Sequence, residues 1–555
     1  MAPLIIIMQK IKPITISLLL TLIALAPLNV LPDEITEKVY LSCDRSVYIA
    51  GESIAFFAHL TSVNNQQLSK VLYVELLDAT GKQIEGIKTP VDSSSSSGQL
   101  VVPADLLSGY YYLRAYTKWM RNQGPGSYAW KLIKVINPTR NETMTGTNTL
   151  EPQNLAEPKA FIIQLQKKEI ITRENVVFEV DMIRNDLDIV SFSFSVVPEE
   201  AVQSLLWQPV FSDSISTTIY YMPETKGISL SGQLVDEETG EGVPSQHINL
   251  TVVDQNKEFM ARQTDENGRF FFALPDGIGE RDLFICAQLA TDKKTVVHID
   301  KDFCSIDVKL PALYFELDSV ARASALKMAV NHQVDGFFPV SGKTELLPIS
   351  PDERAFYGKP THVVDIDRYV QLPTLEEYFN ELPGMARVRK RNGSRYFKVL
   401  GTNGALAIYD PLVMIDLVAI DDPEKVLSVA PQQIERIEIV NEPYIKGDLT
   451  YGGIISLISR KGDFGGIDLP SSGIFVAYEL FDPATKQQKV INSNADNPDP
   501  RNTIGWWPNV TLNPEKKISL SFKTGDTSGN FAIVATAILS NGEIAYAVKR
   551  FNIKD

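Results

Sequence analysis

The sequence predicts a mainly β protein built from tandem β-sandwiches and one small α/β domain. Two observations predict the sandwiches: short alternating apolar runs recur along most of the 555 residues, and tight-turn sequences separate them. A third predicts the α/β domain, because a helix-start signal lies between short apolar runs within residues 409–462. At about 150 residues per domain, the length predicts at least three to four domains.

Composition and charge narrow the function classes. With 44% hydrophobic and 22% charged residues, the chain is typical of globular domains. The net charge of −15 argues against nucleic acid as a partner and against electrostatic adsorption on anionic lipid. The five histidines are scattered, and the sequence contains no HExxH, CxxC, GxSxG or phosphate-loop motif. We therefore expect no metal, no small-molecule cofactor and no enzymatic activity.

The N-terminus predicts export to the cell envelope. Lys10 and Lys12 precede an apolar run over residues 14–31, which is the layout of a secretory signal in residues 1–32. Ala24-Leu25-Ala26 resembles a cleavage site, but Pro27 hinders cleavage, so a retained N-terminal anchor is the alternative. We expect the protein in the periplasm or at the outer membrane, held by that anchor or by a partner.

Residues 36–138 predict the first sandwich. Asp78-Ala79-Thr80-Gly81 is a hairpin turn, and the run from Gly109 to Tyr116 alternates strongly. The stretches CDRSVYIAGESIAFFA and LLSGYYYLRAYTKWMRN resemble the MG2 domain of alpha-2-macroglobulin-like proteins, in the form found in Bacteroidota envelope proteins. Tyr48, Gly51, Glu52 and Ser108-Gly109-Tyr110 carry this resemblance. The chain lacks a Cys-Gly-Glu-Gln thioester, so the resemblance does not imply covalent protease trapping.

Three further sandwiches are predicted along the chain. Residues 158–226, with VVFEVDM and VSFSFSVVP, resemble a second macroglobulin-type sandwich. In residues 227–312, Asn267-Gly268 predicts a tight hairpin, and Gly232 with Val243-Pro244 resembles the carboxypeptidase regulatory-like domain, a transthyretin-like sandwich without peptidase activity. Residues 470–555 resemble a further macroglobulin-like sandwich. Residues 313–362 predict a helical linker, in which Leu326, Met328 and Val330 are among the apolar helix positions.

Residues 363–466 predict the α/β domain. Leu412–Ile415 is a short apolar strand, and Asp422-Pro423-Glu424 supplies an N-cap, a first-turn proline and a first-turn acid. Ile437 and Ile439 alternate with charged neighbours as in a half-buried strand, and a Gly-Gly turn leads into a third apolar run, Ile454–Ile458. Earlier in this range, Thr374 and Glu377 form a capping box.

The α/β segment resembles the plug domain of TonB-dependent outer-membrane receptors. PLVMID, IERIEIV and YGGIISLISRKG follow the order of the family pattern. Leu417 stands where the family has glycine, and Asn441-Glu442-Pro443 replaces its lysine-glycine-proline, which affects the turn geometry. A receptor barrel needs about twenty-two strands of roughly ten residues after the plug. Since about ninety residues follow Gly465, we expect no barrel in this chain.

The resemblances imply two functions of different classes. The first is a non-enzymatic adaptor that joins an outer-membrane transport or assembly complex through an unidentified outer-membrane protein. Its expected contact residues lie in two loops of the plug-like domain, and they are Asp421, Asp422, Tyr444, Lys446 and Tyr451. The alternative is a periplasmic or surface module that binds glycans or interacts with proteases without a thioester.

The three cysteines leave one pairing open. Cys286 and Cys304 lie in strand-like runs eighteen residues apart and are able to form a disulfide in an oxidising compartment. Two buried free thiols are the alternative. Cys43 is interpreted as a strand residue.

Overall fold

A computed structural model describes residues 36–555 of the chain with several gaps. The gaps are 63–68, 150–159, 185–187, 203–208, 210, 212–219, 254–257, 289–293, 338–354, 383, 392, 470–471, 483–497, 514–516 and 541. The predicted signal or anchor over residues 1–32 lies outside the described residues. No helix within the described ranges is both long and apolar enough to cross a bilayer.

The first sandwich consists of a three-stranded and a five-stranded sheet. Its strands are β1 (Glu37–Cys43), β2 (Val47–Ile49), β3 (Ser53–Ser62), β4 (Val71–Leu77), β5 (Gln83–Pro90), β6 (Ser95–Val101), β7 (Gly109–Tyr116) and β8 (Ala129–Ile136). The sheet orders are β1-β3-β6 and β2-β8-β7-β4-β5. Strands β4 and β8 are buried at every position, because each lies in the five-stranded sheet with protein on both faces. The predicted turn at Asp78–Gly81 joins β4 to β5, and Gly81 has a φ of +85°.

The next segment contributes half of a sandwich. Its strands are β9 (Phe161–Leu165), β10 (Ile170–Ile171), β11 (Asn175–Met182) and β12 (Ile189–Pro198). Inward-facing Phe178, Phe192 and Phe194 are buried, but β10 and β12 have no neighbour from this segment in their sheet. Their partners come from the end of the chain.

The third group of strands forms a small sandwich. They are β13 (Ser229–Asp236), β14 (His247–Val252), β15 (Phe259–Gln263), β16 (Arg269–Ala273), β17 (Glu280–Gln288) and β18 (Thr295–Ile299). One sheet has the order β16-β13-β18, and the other begins β15-β14-β17. The predicted tight turn is confirmed: the Gly268 amide donates to the Asp265 carbonyl at 3.0 Å, and Gly268 has a φ of +74°.

The predicted linker contains one long helix, α1 (Ser319–Phe337). Its buried face consists of Ala325, Met328 and Ala329, which pack against β2 and β8 of the first sandwich. Leu326 and Val330 are 63% and 50% exposed, so their assignment to the apolar face is wrong. The two small alanines beside Met328 allow the helix to approach the sheet closely. Helix α1 is therefore part of the packed structure.

The α/β unit follows. Its elements are β19 (His362–Asp365), α2 (Leu375–Glu381), β20 (Ala386–Arg391), β21 (Ser394–Val399), α3 (Ala405–Ile408), β22 (Leu412–Ile415), β23 (Val418–Ala419), α4 (Pro423–Ser428), β24 (Ile434–Val440), β25 (Tyr444–Lys446), β26 (Leu449–Tyr451) and β27 (Ile454–Ser459). The main sheet has the order β19-β24-β27-β22-β23, with β22 and β27 parallel. The predicted strand β22 has its predicted bounds. Both predicted caps form: Asp422 accepts from the Glu424 amide and Thr374 from the Glu377 amide.

The last strands complete two earlier sandwiches. They are β28 (Ile474–Glu479), β29 (Gly505–Val510), β30 (Lys517–Lys523), β31 (Gly529–Leu539) and β32 (Ile544–Lys554). Strand β28 pairs with β17 of the third group. The others form the sheets β10-β32-β31-β12-β29 and β30-β11-β9 with the second group. The predicted separate sandwiches at 158–226 and 470–555 are therefore one composite sandwich, because β12 lies between β31 and β29 and neither segment closes a core alone.

Candidate partner-contact site

The α/β unit is inserted into the third sandwich. The chain leaves that sandwich after β18, forms α1 and the α/β unit, and returns to it as β28. Strand β17 divides its side chains between the two: Leu283 and Ile285 enter the sandwich core, whereas Phe284 and Cys286 enter the core of the α/β unit. Strand β17 therefore contributes side chains to both cores, and the α/β unit is packed directly against the third sandwich.

The turn between β22 and β23 fixes one corner of the unit. Asp416 and Leu417 both have positive φ, 49° and 68°, as in a two-residue hairpin turn that normally favours glycine. The buried Asp416 carboxylate accepts hydrogen bonds from the Ser459 amide at 2.8 Å and the Phe464 amide at 2.9 Å. Leu417 is buried, and its carbonyl accepts from the Thr251 hydroxyl at 3.0 Å. The Leu417 side chain also packs in one apolar cluster with Phe259 and Ala261 of β15, a contact that the glycine of the plug pattern would not make.

We expect Leu417→Gly to destabilise the protein even though it relieves strain. A left-handed leucine costs about 1–2 kcal/mol of backbone strain. Removing a buried leucine side chain costs about 2–5 kcal/mol. The loss of packing is larger, so the urea midpoint of unfolding should fall by an amount that corresponds to about 1–3 kcal/mol. Leu417→Met keeps the volume and serves as the control; a Leu417→Gly protein more stable than the natural one would contradict the balance.

The first predicted contact loop contains Asp421 and Asp422. Asp422 is exposed, and its carboxylate caps α4 by accepting the Glu424 amide at 2.9 Å. Asp421 also reaches the surface, but desolvation by its neighbours raises its pKa to about 7. The Asp421 charge in turn raises the pKa of the Tyr451 hydroxyl, after the larger effect of burial. One side of this loop therefore faces the protein interior.

The pH dependence of stability should report on Asp421. Because its pKa is raised in the folded protein, the native state holds more protons than the unfolded state between about pH 4 and pH 7. Stability therefore falls as the pH rises through that window, and Asp421→Asn should flatten this part of the profile. The difference should be at most about 1 kcal/mol, because the exposed part of the residue is screened. Urea unfolding at several pH values measures it, with Asp422→Asn as the control; parallel profiles for the natural protein and Asp421→Asn would exclude the effect.

Most of the second predicted contact loop packs against other parts of the same protein. Arg262 on β15 pairs with Asp448 at 2.7 Å, and the ring of Phe356 lies between those of Phe259 and Tyr444. A Cβ on Gly447 would lie 2.2 Å from the Ala261 carbonyl, so the hairpin approaches β15 as closely as glycine allows.

The remaining residues predicted to contact a partner differ in how far they are exposed to solvent. Lys446 is half-buried, with its ammonium 5.3 Å from the centre of the Phe356 ring. Tyr451 is buried, and its hydroxyl has no hydrogen-bond partner among the described residues, so its prediction as a contact residue is wrong. Ile445, which the sequence did not single out, is 70% exposed. In the two predicted contact loops, Ile445 and Asp422 are therefore among the exposed residues.

Of the two alternatives for Cys286 and Cys304, the structure has the two buried free thiols and not the disulfide. Cys286 and Cys304 are both free, and they lie in different hydrophobic cores. The reason is the path of the chain after β18: Cys304 does not continue the small sandwich but crosses onto the first one, where its amide donates to the Tyr116 hydroxyl at 2.7 Å. Burial raises the pKa of the Cys286 thiol, so that thiol is protonated and unreactive near neutral pH.

Buried charges join the first and third sandwiches. Glu75 and Arg114 form an ion pair at 2.8 Å, and both are essentially inaccessible to solvent. Nearby, Asp302 pairs with Lys88 and with Lys118, the latter at 3.4 Å. Although burial alone would raise it, Lys118 and Lys88 hold the pKa of Asp302 below its usual value. None of these residues was predicted from the sequence. For Glu75 and Arg114 the available signal was a charge inside an apolar strand, VLYVELL and YYYLRAY.

A second buried network explains part of the MG2-like motif. The Glu52 carboxylate accepts from the Ile49 amide at 2.7 Å, from Arg45 at 3.0 Å and from the Asn502 side-chain amide at 2.7 Å. Asn502 precedes β29, so this glutamate ties the first sandwich to the composite one. Gly51 has a φ of +95°, which an L side chain rarely adopts.

A cleft opens between the first and composite sandwiches. Its free volume is only about 20 Å³, little more than one water molecule needs, and Cys43, Lys131, Trp506 and Tyr546 are among its lining residues. Burial, the largest effect, raises the pKa of the Cys43 thiol to about 12, so it is not a thiolate nucleophile at neutral pH. In the part of the chain that the structure describes, no three His, Cys, Asp or Glu residues are grouped to hold a metal ion.

Comparison with known proteins gives distant structural likenesses. No family model matches the sequence, and no curated protein matches it. A crystal structure of a Salmonella alpha-2-macroglobulin mutant aligns with a TM-score of 0.23 at 9% identity, over 94% of this chain and 39% of that one. The native Escherichia coli alpha-2-macroglobulin aligns with a TM-score of 0.24 at 9% identity, over 94% and 40%. The chain thus spans about two fifths of those proteins. The tandem sandwiches are established by the strand pairing itself.

Proposed function

We propose that this chain is a non-enzymatic adaptor of the cell envelope that presents its α/β unit to an outer-membrane protein. One observation carries the proposal: the α/β unit is an insertion held on the third sandwich by β17, by the Leu417 carbonyl and by the Arg262–Asp448 pair. A unit fixed in this way holds its exposed residues Ile445 and Asp422 in a constant orientation relative to the third sandwich. The resemblances to MG2, carboxypeptidase regulatory-like and TonB plug domains support an envelope role and the absence of catalysis.

Site-specific photo-crosslinking tests the adaptor function in intact cells. A photoreactive amino acid in place of Ile445 should form adducts with an outer-membrane protein. The matched control is Val101, which is similarly apolar and exposed but lies on the first sandwich, away from the α/β unit. Adducts from position 445 that are absent from position 101 support the proposal; no adduct at 445, or the same adducts at both positions, overturns it.

A further inference from the structure

The hairpin of β20 and β21 carries a basic face. Ala386 and Val388 are buried, whereas Arg387, Arg389 and Arg391 alternate with them and are exposed. Their cross-strand partners, in the same order, are Lys398, Tyr396 and Ser394. One face of the hairpin therefore holds three guanidinium groups beside an ammonium and a phenol. The run RVRKR displays this signal in the sequence.

The nearby carboxylates are engaged elsewhere. Glu376 and Glu424 both pair with Arg395, Glu376 at 2.6 Å. Among the described residues, no carboxylate forms a salt bridge with Arg387, Arg389 or Arg391. Lys398 is held by the carbonyls of Ala407 and Tyr409, at 2.9 and 3.3 Å. The three arginines are thus unneutralised cations within a chain of net charge −15.

Exposed apolar residues border this face. The bonds from Lys398 hold the end of α3 against β21, and at that end Ile408 is 76% exposed and Tyr409 is also exposed. Alternate residues of a strand are about 6.6 Å apart, so the guanidinium groups are spread along the surface and do not surround one ion. Spread cations beside an exposed isoleucine and tyrosine match a membrane surface, where phosphates bind the cations and the apolar side chains enter the interface.

We propose that this basic face, Arg387, Arg389 and Arg391 with Ile408 and Tyr409, binds the surface of an anionic lipid bilayer. The net charge of −15 led us to expect no adsorption on anionic lipid, but charges beyond the Debye length of about 8 Å are largely screened at physiological salt, so the local cations of this face decide the binding. A nucleic acid would satisfy the arginines but offers no apolar phase for Ile408. This binding is independent of the adaptor function, since the face does not include Ile445 or Asp422.

Vesicle flotation tests the proposal with the full chain. The protein should float with vesicles of phosphatidylcholine and phosphatidylglycerol, less so at high salt, and not with phosphatidylcholine alone. Arg387→Gln/Arg389→Gln/Arg391→Gln should weaken binding roughly a hundredfold. Lys82→Gln/Arg140→Gln/Lys309→Gln, which removes the same charge from exposed positions elsewhere, should bind normally. Ile408→Ser should weaken binding several-fold without changing its salt dependence.

Three outcomes overturn the proposal. The first is equal binding by the hairpin variant and its charge-matched control, since binding would then follow net charge alone. The second is equal flotation with neutral vesicles. The third is retention on polyglutamate or on DNA that the hairpin variant loses, without flotation on anionic vesicles, which assigns the face to an acidic polypeptide or a nucleic acid. Matching urea midpoints for both triple variants establish that each remains folded.

Discussion

Glu75→Leu should destabilise the first sandwich by about 3–5 kcal/mol, because it leaves the guanidinium of Arg114 buried without its counter-charge. Arg114 donates two hydrogen bonds to Glu75, at 2.8 and 3.1 Å, and one to the Cys304 carbonyl at 2.8 Å. The Tyr116 hydroxyl donates to the same carboxylate at 2.6 Å. Loss of Glu75 therefore removes the acceptor of several buried donors at once. Hydrogen exchange of the β4 and β7 amides measures the effect locally.

A double variant separates charge from packing. Glu75→Leu/Arg114→Met removes both charges, and buried ion pairs replaced by apolar residues of similar volume are often neutral or stabilising. It also removes the Arg114 Nη1 atom, which has no partner among the described residues. We expect the double variant to recover most of the lost stability. The control is Arg368→Met, which breaks an exposed pair with Asp365 and should cost no more than about 1 kcal/mol. If Glu75→Leu and Arg368→Met lower the stability equally, the buried pair contributes no more to stability than the exposed pair does.

Truncation after Gly466 should unfold the segment that contains β9 to β12. Strand β12 lies between β31 and β29, so the truncation removes both of its neighbours and exposes Phe192, Phe194 and Val196. Each of these side chains contributes about 1.5–3 kcal/mol by burial, which together is comparable to the whole stability of many domains. Amides of β12 should lose their protection from hydrogen exchange.

Complementation provides the control for this truncation. A fragment of residues 474–555 added to the truncated protein should restore protection of β12, because the two segments supply alternate strands of one sheet. Protection of β12 without the fragment would show that residues 158–226 fold alone, as the sequence predicted, and would contradict the composite sandwich. The first sandwich offers an internal reference, since all strands of its two sheets come from residues 37–136.

The local structure of several segments was predicted correctly from the sequence. Turns such as Asp78–Gly81 and Asp265–Gly268, the caps at Thr374 and Asp422, and strand β22 all lie where the residues predict them. These features depend on interactions within a few positions of the chain: a side chain accepts a neighbouring amide, or a glycine adopts a positive φ. The mainly β class follows from the same local patterns.

What only the tertiary structure decided was which segments share a core. An apolar strand pattern states that one face is buried but not against what, so β12 gave no sign that its neighbours lie more than three hundred residues later. For the same reason the sequence did not show that Cys304 lies in the core of the first sandwich, that Tyr451 is buried, or that the loop around Gly447 packs against β15. The sequence by itself determined the strands, turns and caps, because these are local; the pairing of distant strands and the residues left exposed for a partner were decided by packing across the whole chain.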